Sequence, residues 1–215
     1  MTQPLHLSLA GQALDALREL VLTGEILPGA RVNEVEVANR LGISRGPLRE
    51  AIRGLAAEGL VELVPHKGAR VPFADAAEVR ALFELRTALE CEAAKLAATR
   101  RTEQDLDRMR AVSKESRKNY HAGVKFPHRL DLAFHQALLE AARSPHIAEQ
   151  VRLVQQKVIL TRTGLPDDPQ HQHGSLDDHD ELIELIEQQD WEKAAQIMRR
   201  HLSRTCAQII KSLPD

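Results

Sequence analysis

The run from Asn33 to Val71, NEVEVANRLGISRGPLREAIRGLAAEGLVELVPHKGARV, admits few folds. Val35, Val37, Ala38 and Leu41 suit one face of a short helix, and Gly42 follows where a left-handed residue closes a helix. Ser44 suits the N-cap of a second helix and Pro47 its first turn, where a missing N–H costs little. Leu48, Ile52, Leu55 and Ala56 recur at helical spacing and predict a buried face, while Arg45, Arg49 and Arg53, four apart, predict an outward ridge. Leu60–Val64 and Ala69–Val71 are β-rich runs around Pro65, His66, Lys67 and Gly68, a hairpin signal. Two short helices joined by a tight turn form a helix-turn-helix, whose second helix offers its N-terminal residues to base edges in the major groove. Arginine is the side chain whose fork matches the two acceptors of a guanine.

The segment is similar to the winged helix-turn-helix of the GntR family of bacterial transcription regulators. PGARVNE (Pro28–Glu34), LGISRGPLREAIRGLAAEGLV (Leu41–Val61) and HKGARV (His66–Val71) carry the resemblance. It implies contact with double-stranded DNA through Arg31, Ser44, Arg45, Gly46, Pro47, Arg49 and Arg53, and through His66, Lys67 and Gly68 at the tip of the wing.

A chain of 215 residues has room for two small domains, here expected at 1–73 and 74–215. The 3% of aromatics and the abundance of Ala and Leu predict aliphatic helix-on-helix cores. A net charge of −2 excludes a generally basic DNA coat, so any DNA contact must come from a local patch such as the arginine ridge. Cys91 and Cys206 fall in apolar helical patterns and read as free buried thiols. No basic-then-apolar leader opens the chain and no apolar run is long enough to span a bilayer, so a cytoplasmic protein is expected.

Upstream, Ser8–Thr23 reads as an amphipathic helix. Downstream of Pro72, helices are predicted at Ala76–Thr99, Glu103–Ala122, Pro127–Arg143, Pro145–Thr163, Leu176–Gln188 and Trp191–Ser212. Asp75, Thr102, Ser144, Ser175 and Asp190 suit their caps, and Gly164–Gly174 reads as a loop. The fold class is therefore mainly α: a winged helix-turn-helix with a small β-hairpin wing, then an all-α bundle of six helices.

The bundle carries polar residues on inward stripes. Asp131 and His135 share a face with Phe134 and Leu138, His179 falls between Leu176 and Leu182, and His201 follows Ile197 by four. Burying an unpaired carboxylate and three imidazoles costs several kcal/mol unless partners meet them. One divalent ion would satisfy all four, and three imidazoles with one carboxylate suit Zn, Ni, Mn or Fe. The other reading is three separate core histidines, each hydrogen-bonded locally. His128, three before Asp131, is a substitute ligand; His171 and His173 lie in the predicted loop, and His6, His66, His121 and His146 have no ligand context. Arg86 also falls on an inward stripe, with Val79, Leu82, Phe83, Leu89 and Ala93. A guanidinium there wants an anion, either a ligand's carboxylate or Glu90 one turn on. Were it unpaired within the chain, Arg86→Met would leave the bundle equally stable. Arg162 is a further candidate at a cavity mouth.

The bundle resembles the FCD domain, the effector-binding domain of the FadR branch of GntR regulators, through EVRALFELRTALECEAAKLAA (Glu78–Ala98), DLAFHQALLEAARSPHI (Asp131–Ile147) and SLDDHDELIELIEQQDWEKAAQIMRRHL (Ser175–Leu202). Metal-binding members place an Asp and a His four later on one helix and two further His on the last two helices. Asp131, His135, His179 and His201 occupy those positions. The six-helix count is similar to the VanR-like branch, and the resemblance implies that Arg86, in an R-x-x-x-E pattern with Glu90, meets the carboxylate of an effector.

The expectation is a homodimeric regulator, a repressor, that reads a palindromic operator and is controlled by a small carboxylic acid bridging the metal and Arg86. The rival is a metal-dependent hydrolase or isomerase fused to a DNA-binding domain, since such a site could activate water.

Overall fold

The computed structural model describes residues 8–122, 128–165 and 169–214, the side chains of 128–130 and 169–171 excepted. It divides into two compact units: residues 1–74 with 156–164, and residues 75–155 with 165–215.

The first unit opens with α1 (Leu9–Leu22), α2 (Glu34–Leu41) and α3 (Arg45–Ala57), followed by strands β1 (Glu62–Val64) and β2 (Gly68–Arg70). Asn33 caps α2 by accepting the Glu36 amide, and Gly42 ends it at φ 65°, which a residue with a Cβ rarely adopts. Ser44 occupies the N-cap of α3 without a side-chain hydrogen bond. Leu48, Ala51, Ile52 and Leu55 of α3 share a core with Ala13, Leu17, Leu20 and Val21 of α1. Each such leucine contributes about 1.5–3 kcal/mol by leaving water. Val35 departs from the expected inward face and is 53% exposed. Two residues along a helix is roughly 200° of rotation, so Val35 cannot share a side with Val37, which is buried beside Ala38.

The wing is antiparallel, with Leu63 opposite Ala69 and Val64 opposite Gly68. Its strands are shorter than the predicted runs, and its tip needs left-handed backbone at both His66 (φ 60°) and Gly68 (φ 83°). The segment before α2 adds a further edge: Val32 donates to the Ala69 carbonyl at 2.8 Å and Val71 to that of Ala30 at 2.9 Å. Residues 156–164 also belong to this unit, where Leu160 joins the core and the Thr163 hydroxyl reaches the Leu22 carbonyl at 3.5 Å. The predicted division at residue 74 did not include them, because helical period does not say which core a stripe serves.

Among the described residues six helices follow: α4 (Ala76–Arg100), α5 (Glu103–His121), α6 (His128–Ala142), α7 (Pro145–Arg162), α8 (Pro169–Glu187) and α9 (Trp191–Ser212). Within the second unit, α4 packs on α6 and α9, α5 packs on α6 and α8, and α8 packs on α9. The Asp75 carboxylate takes the amides of Ala77 and Glu78, both at 2.9 Å, and Asp190 takes that of Lys193 at 3.1 Å. Thr102 and Asp105 form a reciprocal capping box on α5. Thr102→Ala should therefore lower stability by about 0.5–2 kcal/mol, read as a reduced urea midpoint at unchanged slope.

Helix α8 corrects two expectations. It starts at Pro169, so the predicted loop 164–174 is largely helix, and Ser175 is a buried helical residue rather than a cap. Proline is preorganised for a first helical position. Gly174, which reads as a helix breaker, is instead a point of close approach: a Cβ there would meet the Arg204 guanidinium at 2.9 Å. Cys91 and Cys206 are free, and burial pushes both thiols up from their ordinary value. Among the described residues no helix is long and apolar enough to cross a membrane.

Candidate functional site

Three helices of the second unit aim four polar side chains at one point. Helix α6 brings Asp131 and His135, one turn apart on a face that also buries Phe134 and Leu138; α8 brings His179 and α9 brings His201. One ligand atom from each of these four residues lies within 4.8 Å of the others. The rings of His179 and His201 are 4.8 Å apart between centroids, and those of His135 and His201 are 5.2 Å apart. His179 stacks on Phe134 at 3.8 Å, so packing fixes its plane. Its Nε2 is 3.6 Å from Asp131 Oδ1.

All three imidazoles are buried, and His135 Nδ1 and Nε2, His179 Nε2 and His201 Nδ1 have no directed hydrogen bond. Such atoms each cost free energy unless something meets them. Burial, and next the positive charge that a protonated His201 would carry, push His179 well below the ordinary imidazole value. Burial also lowers His201 from that value. Neutral imidazoles beside a carboxylate are the form in which a divalent ion is bound. Bonds of about 2.0–2.2 Å would set neighbouring ligand atoms roughly 3–4 Å apart, so small side-chain shifts would close the cluster on one ion. The donor set therefore fits a metal. Asp131 keeps 13% of its side chain exposed, against 1–2% for the three histidines.

Two further carboxylates stand behind the histidines. Glu90 is wholly buried; its Oε1 accepts from Arg86 Nε at 2.6 Å, and its Oε2 lies 2.6 Å from His135 Nδ1. Burial alone would raise its pKa, but Arg86 and His135 more than offset that and hold it at about 2. Asp178, also buried, receives Arg200 Nε at 3.1 Å and Nη2 at 2.6 Å, receives Arg204, and lies 3.5 Å from His201 Nδ1. Burial opposes its charge too, but His201 and the two arginines keep it below the ordinary carboxylate range. Sequence reasoning placed Glu90 with Arg86 at the effector site and passed over Asp178. The signal was present, since Asp178 is four before Leu182 and eight before Ile186 on the buried stripe of α8.

Arg86 is 3% exposed, bonded to Glu90 through Nε, with its guanidinium 5.1 Å from the Phe83 ring centre. The intramolecular pairing is thus formed, and it uses Nε rather than the terminal amino groups. Arg162 belongs to the first unit. His173 is exposed, with Nδ1 3.0 Å from Asp177. The side chains of His128 and His171, and all of His6, lie outside the described residues.

In the first unit Arg45, Gly46, Arg49 and Arg53 are exposed along α3, Ser44 precedes them, and Pro47 is half-buried in the first turn. His66, Lys67 and Gly68 are exposed at the wing tip, where the Arg31 guanidinium donates to the Lys67 carbonyl. Arg49 Nε donates to Glu34 of α2 at 2.9 Å, a contact that the helical spacing did not suggest, and Arg53 pairs with Glu50 one turn back on α3. Such exposed pairs are worth about 0–1 kcal/mol and are readily exchanged for another anion.

Residues 9–71 match the model for bacterial regulatory proteins of the gntR family, and residues 81–204 match the FCD domain. The Nta operon transcriptional regulator of Aminobacter aminovorans is 29% identical over 184 residues, 86% of this chain and 86% of that protein. The HTH-type transcriptional repressor RspR of Escherichia coli (strain K12) is 28% identical over 209 residues, 94% of this chain and 87% of that protein. The solved structure of E. coli McbR/YncC has the same fold, with a TM-score of 0.84 at 20% identity over 96% of this chain and 99% of that one. These relatives are transcription regulators rather than enzymes, which removes the hydrolase or isomerase reading. The chain belongs to the GntR family and is a DNA-binding transcription regulator with a helix-turn-helix at residues 9–71 and an FCD domain at residues 81–204.

Proposed function

We propose that the protein is a homodimeric repressor whose hold on a palindromic operator is weakened by a small carboxylic acid bound at a divalent metal in the FCD domain. The observation that carries this reading is the convergence of Asp131, His135, His179 and His201, with one partly exposed ligand, beside a buried arginine. Arg86 is joined to the cluster through Glu90, whose other oxygen lies 2.6 Å from His135 Nδ1. Zn, Ni, Mn or Fe would each accept this donor set, leaving positions open for oxygen ligands. The acid would place its carboxylate between the ion, which supplies a Lewis-acid anchor, and the terminal amino groups of Arg86. The repressor role of RspR supports the sign of the response. Linkage requires acid and operator to weaken each other by the same factor. Native mass spectrometry of the purified full chain tests the reading: a bound divalent ion and a co-purifying acid are expected, and a chain that neither carries nor takes up metal contradicts it.

On DNA, Arg45 and Arg49 are assigned to bases and the remaining exposed groups of α3 and the wing to phosphates. Arg49 would exchange Glu34 for the Hoogsteen edge of a guanine. Arg49→Ala should cost about 1–3 kcal/mol per half-site and relax the preference at one base pair. Titrations at fixed salt against a selected operator and its single-base variants check this. Equal affinity with an unchanged preference profile would remove Arg49 from the base contacts.

A further inference from the structure

We propose that Glu90 and Asp178 are positioning residues for the metal-binding histidines: each holds one imidazole, His135 or His201, through its Nδ1–H and so leaves the Nε2 lone pair to the ion. This rests on the metal reading above, and it adds two residues from outside the ligand set.

The two carboxylates come from different helices, α4 and α8, yet they are connected alike. Glu90 gives Oε1 to Arg86 and turns Oε2 to His135 Nδ1 at 2.6 Å. Asp178 gives Oδ1 to Arg200 and turns Oδ2, shared with Arg204, to His201 Nδ1 at 3.5 Å. Both are buried, at 0% and 1% exposure. An arginine on one oxygen keeps each carboxylate ionised in surroundings that would otherwise neutralise it. An ionised carboxylate only accepts, so the ring nitrogen facing it must carry the proton. A neutral imidazole has one N–H, so the far nitrogen is bare, and only a bare nitrogen binds metal. The contacts are close, though not directed hydrogen bonds. His179 is held differently, by stacking on Phe134. Two of the three rings are thus set by charge and the third by packing.

The first test needs no variant. Histidine-selective 15N spectra of the metal-free full chain, assigned by single histidine replacements, should show His135 and His201 protonated at Nδ1. Protonation at Nε2 in either residue overturns the proposal for that residue. The second test is competition between the full chain and a chelator for Ni2+ or Zn2+. Glu90→Gln and Asp178→Asn should each weaken metal binding by about 10–100-fold. Asp177→Asn, an exposed neighbour bonded to Arg117 at 2.8 Å, should change nothing. Folded variants that bind as tightly as the wild type overturn the proposal. If a variant does not fold, the wild-type tautomers decide the question. A wild type that binds no metal at all instead refutes the metal reading, and the tautomers still test the carboxylates by themselves.

Discussion

His179→Ala should abolish the proposed metal binding while leaving the DNA-binding unit folded. The residue supplies one of four converging ligand atoms, and its Nε2 has no directed hydrogen bond. Its loss should weaken metal binding by more than the roughly 10–100-fold carried by groups that only orient ligands. The metal-free bundle loses a stacking partner of Phe134 and also sheds a buried nitrogen with no directed partner, two effects of opposite sign. The clearest readout is therefore linkage. At a free metal concentration 100 times the dissociation constant, the wild type should gain about 2.7 kcal/mol of stability, and the variant should gain almost none at the same concentration. His201→Ala should behave alike. His173→Ala should retain full metal by elemental analysis after dialysis, since His173 is exposed and engaged with Asp177. Full occupancy in either ligand variant, or loss in the His173 variant, would mean that other residues bind the ion.

Arg86→Lys should bind DNA and metal normally and lose the response to acid. Lysine keeps a positive charge against Glu90 but removes the planar fork, so the terminal amino groups proposed for the effector are gone. Operator affinity without acid should be unchanged, because Arg86 belongs to the FCD domain. The wild type should lose operator affinity with a saturating acid by roughly 5–150-fold, the usual scale of coupling; the variant should shift little at the same concentration. Arg86→Met is a different experiment from the one that the helical stripe alone suggested. With Glu90 wholly buried and bonded to Arg86, removing the guanidinium strands a carboxylate rather than relieving a lone cation. Breaking a buried pair from one side costs about 3–5 kcal/mol, so Arg86→Met should be strongly destabilised in urea. If Arg86→Lys responds to acid as the wild type does, Arg86 serves the fold alone and the anion sits elsewhere.

Much of this arrangement was readable in the amino-acid order, for reasons that are local. Asn33, Gly42, Asp75, Thr102 and Asp190 act on neighbours within a turn, so their caps follow from sequence. The four converging side chains were readable because each breaks an apolar stripe, and stripes in one small bundle must face a common interior. What escaped depended on contacts distant in sequence. Asp178 is buried because Arg200 and Arg204 of α9 reach it, and Gly174 sits within α8 where Arg204 presses on it. The grouping of residues 156–164 with the first unit rests on Leu160 and Thr163, whose helical spacing is compatible with either core. Val35 was placed on the wrong face because alternate apolar residues, Val35 and Val37, imitate a stripe that an α-helix does not have.

The central claim is that metal, acid and operator are linked through one chain. It is tested most directly by titrating a selected operator duplex with metal-loaded wild-type protein, with and without each of a panel of simple mono-, di- and tricarboxylic acids, and repeating the series after chelation. At least one acid should weaken operator binding by roughly 5–150-fold, and chelation should abolish this shift. An identical shift from metal-free protein, or no shift from any acid with the metal in place, would contradict the claim.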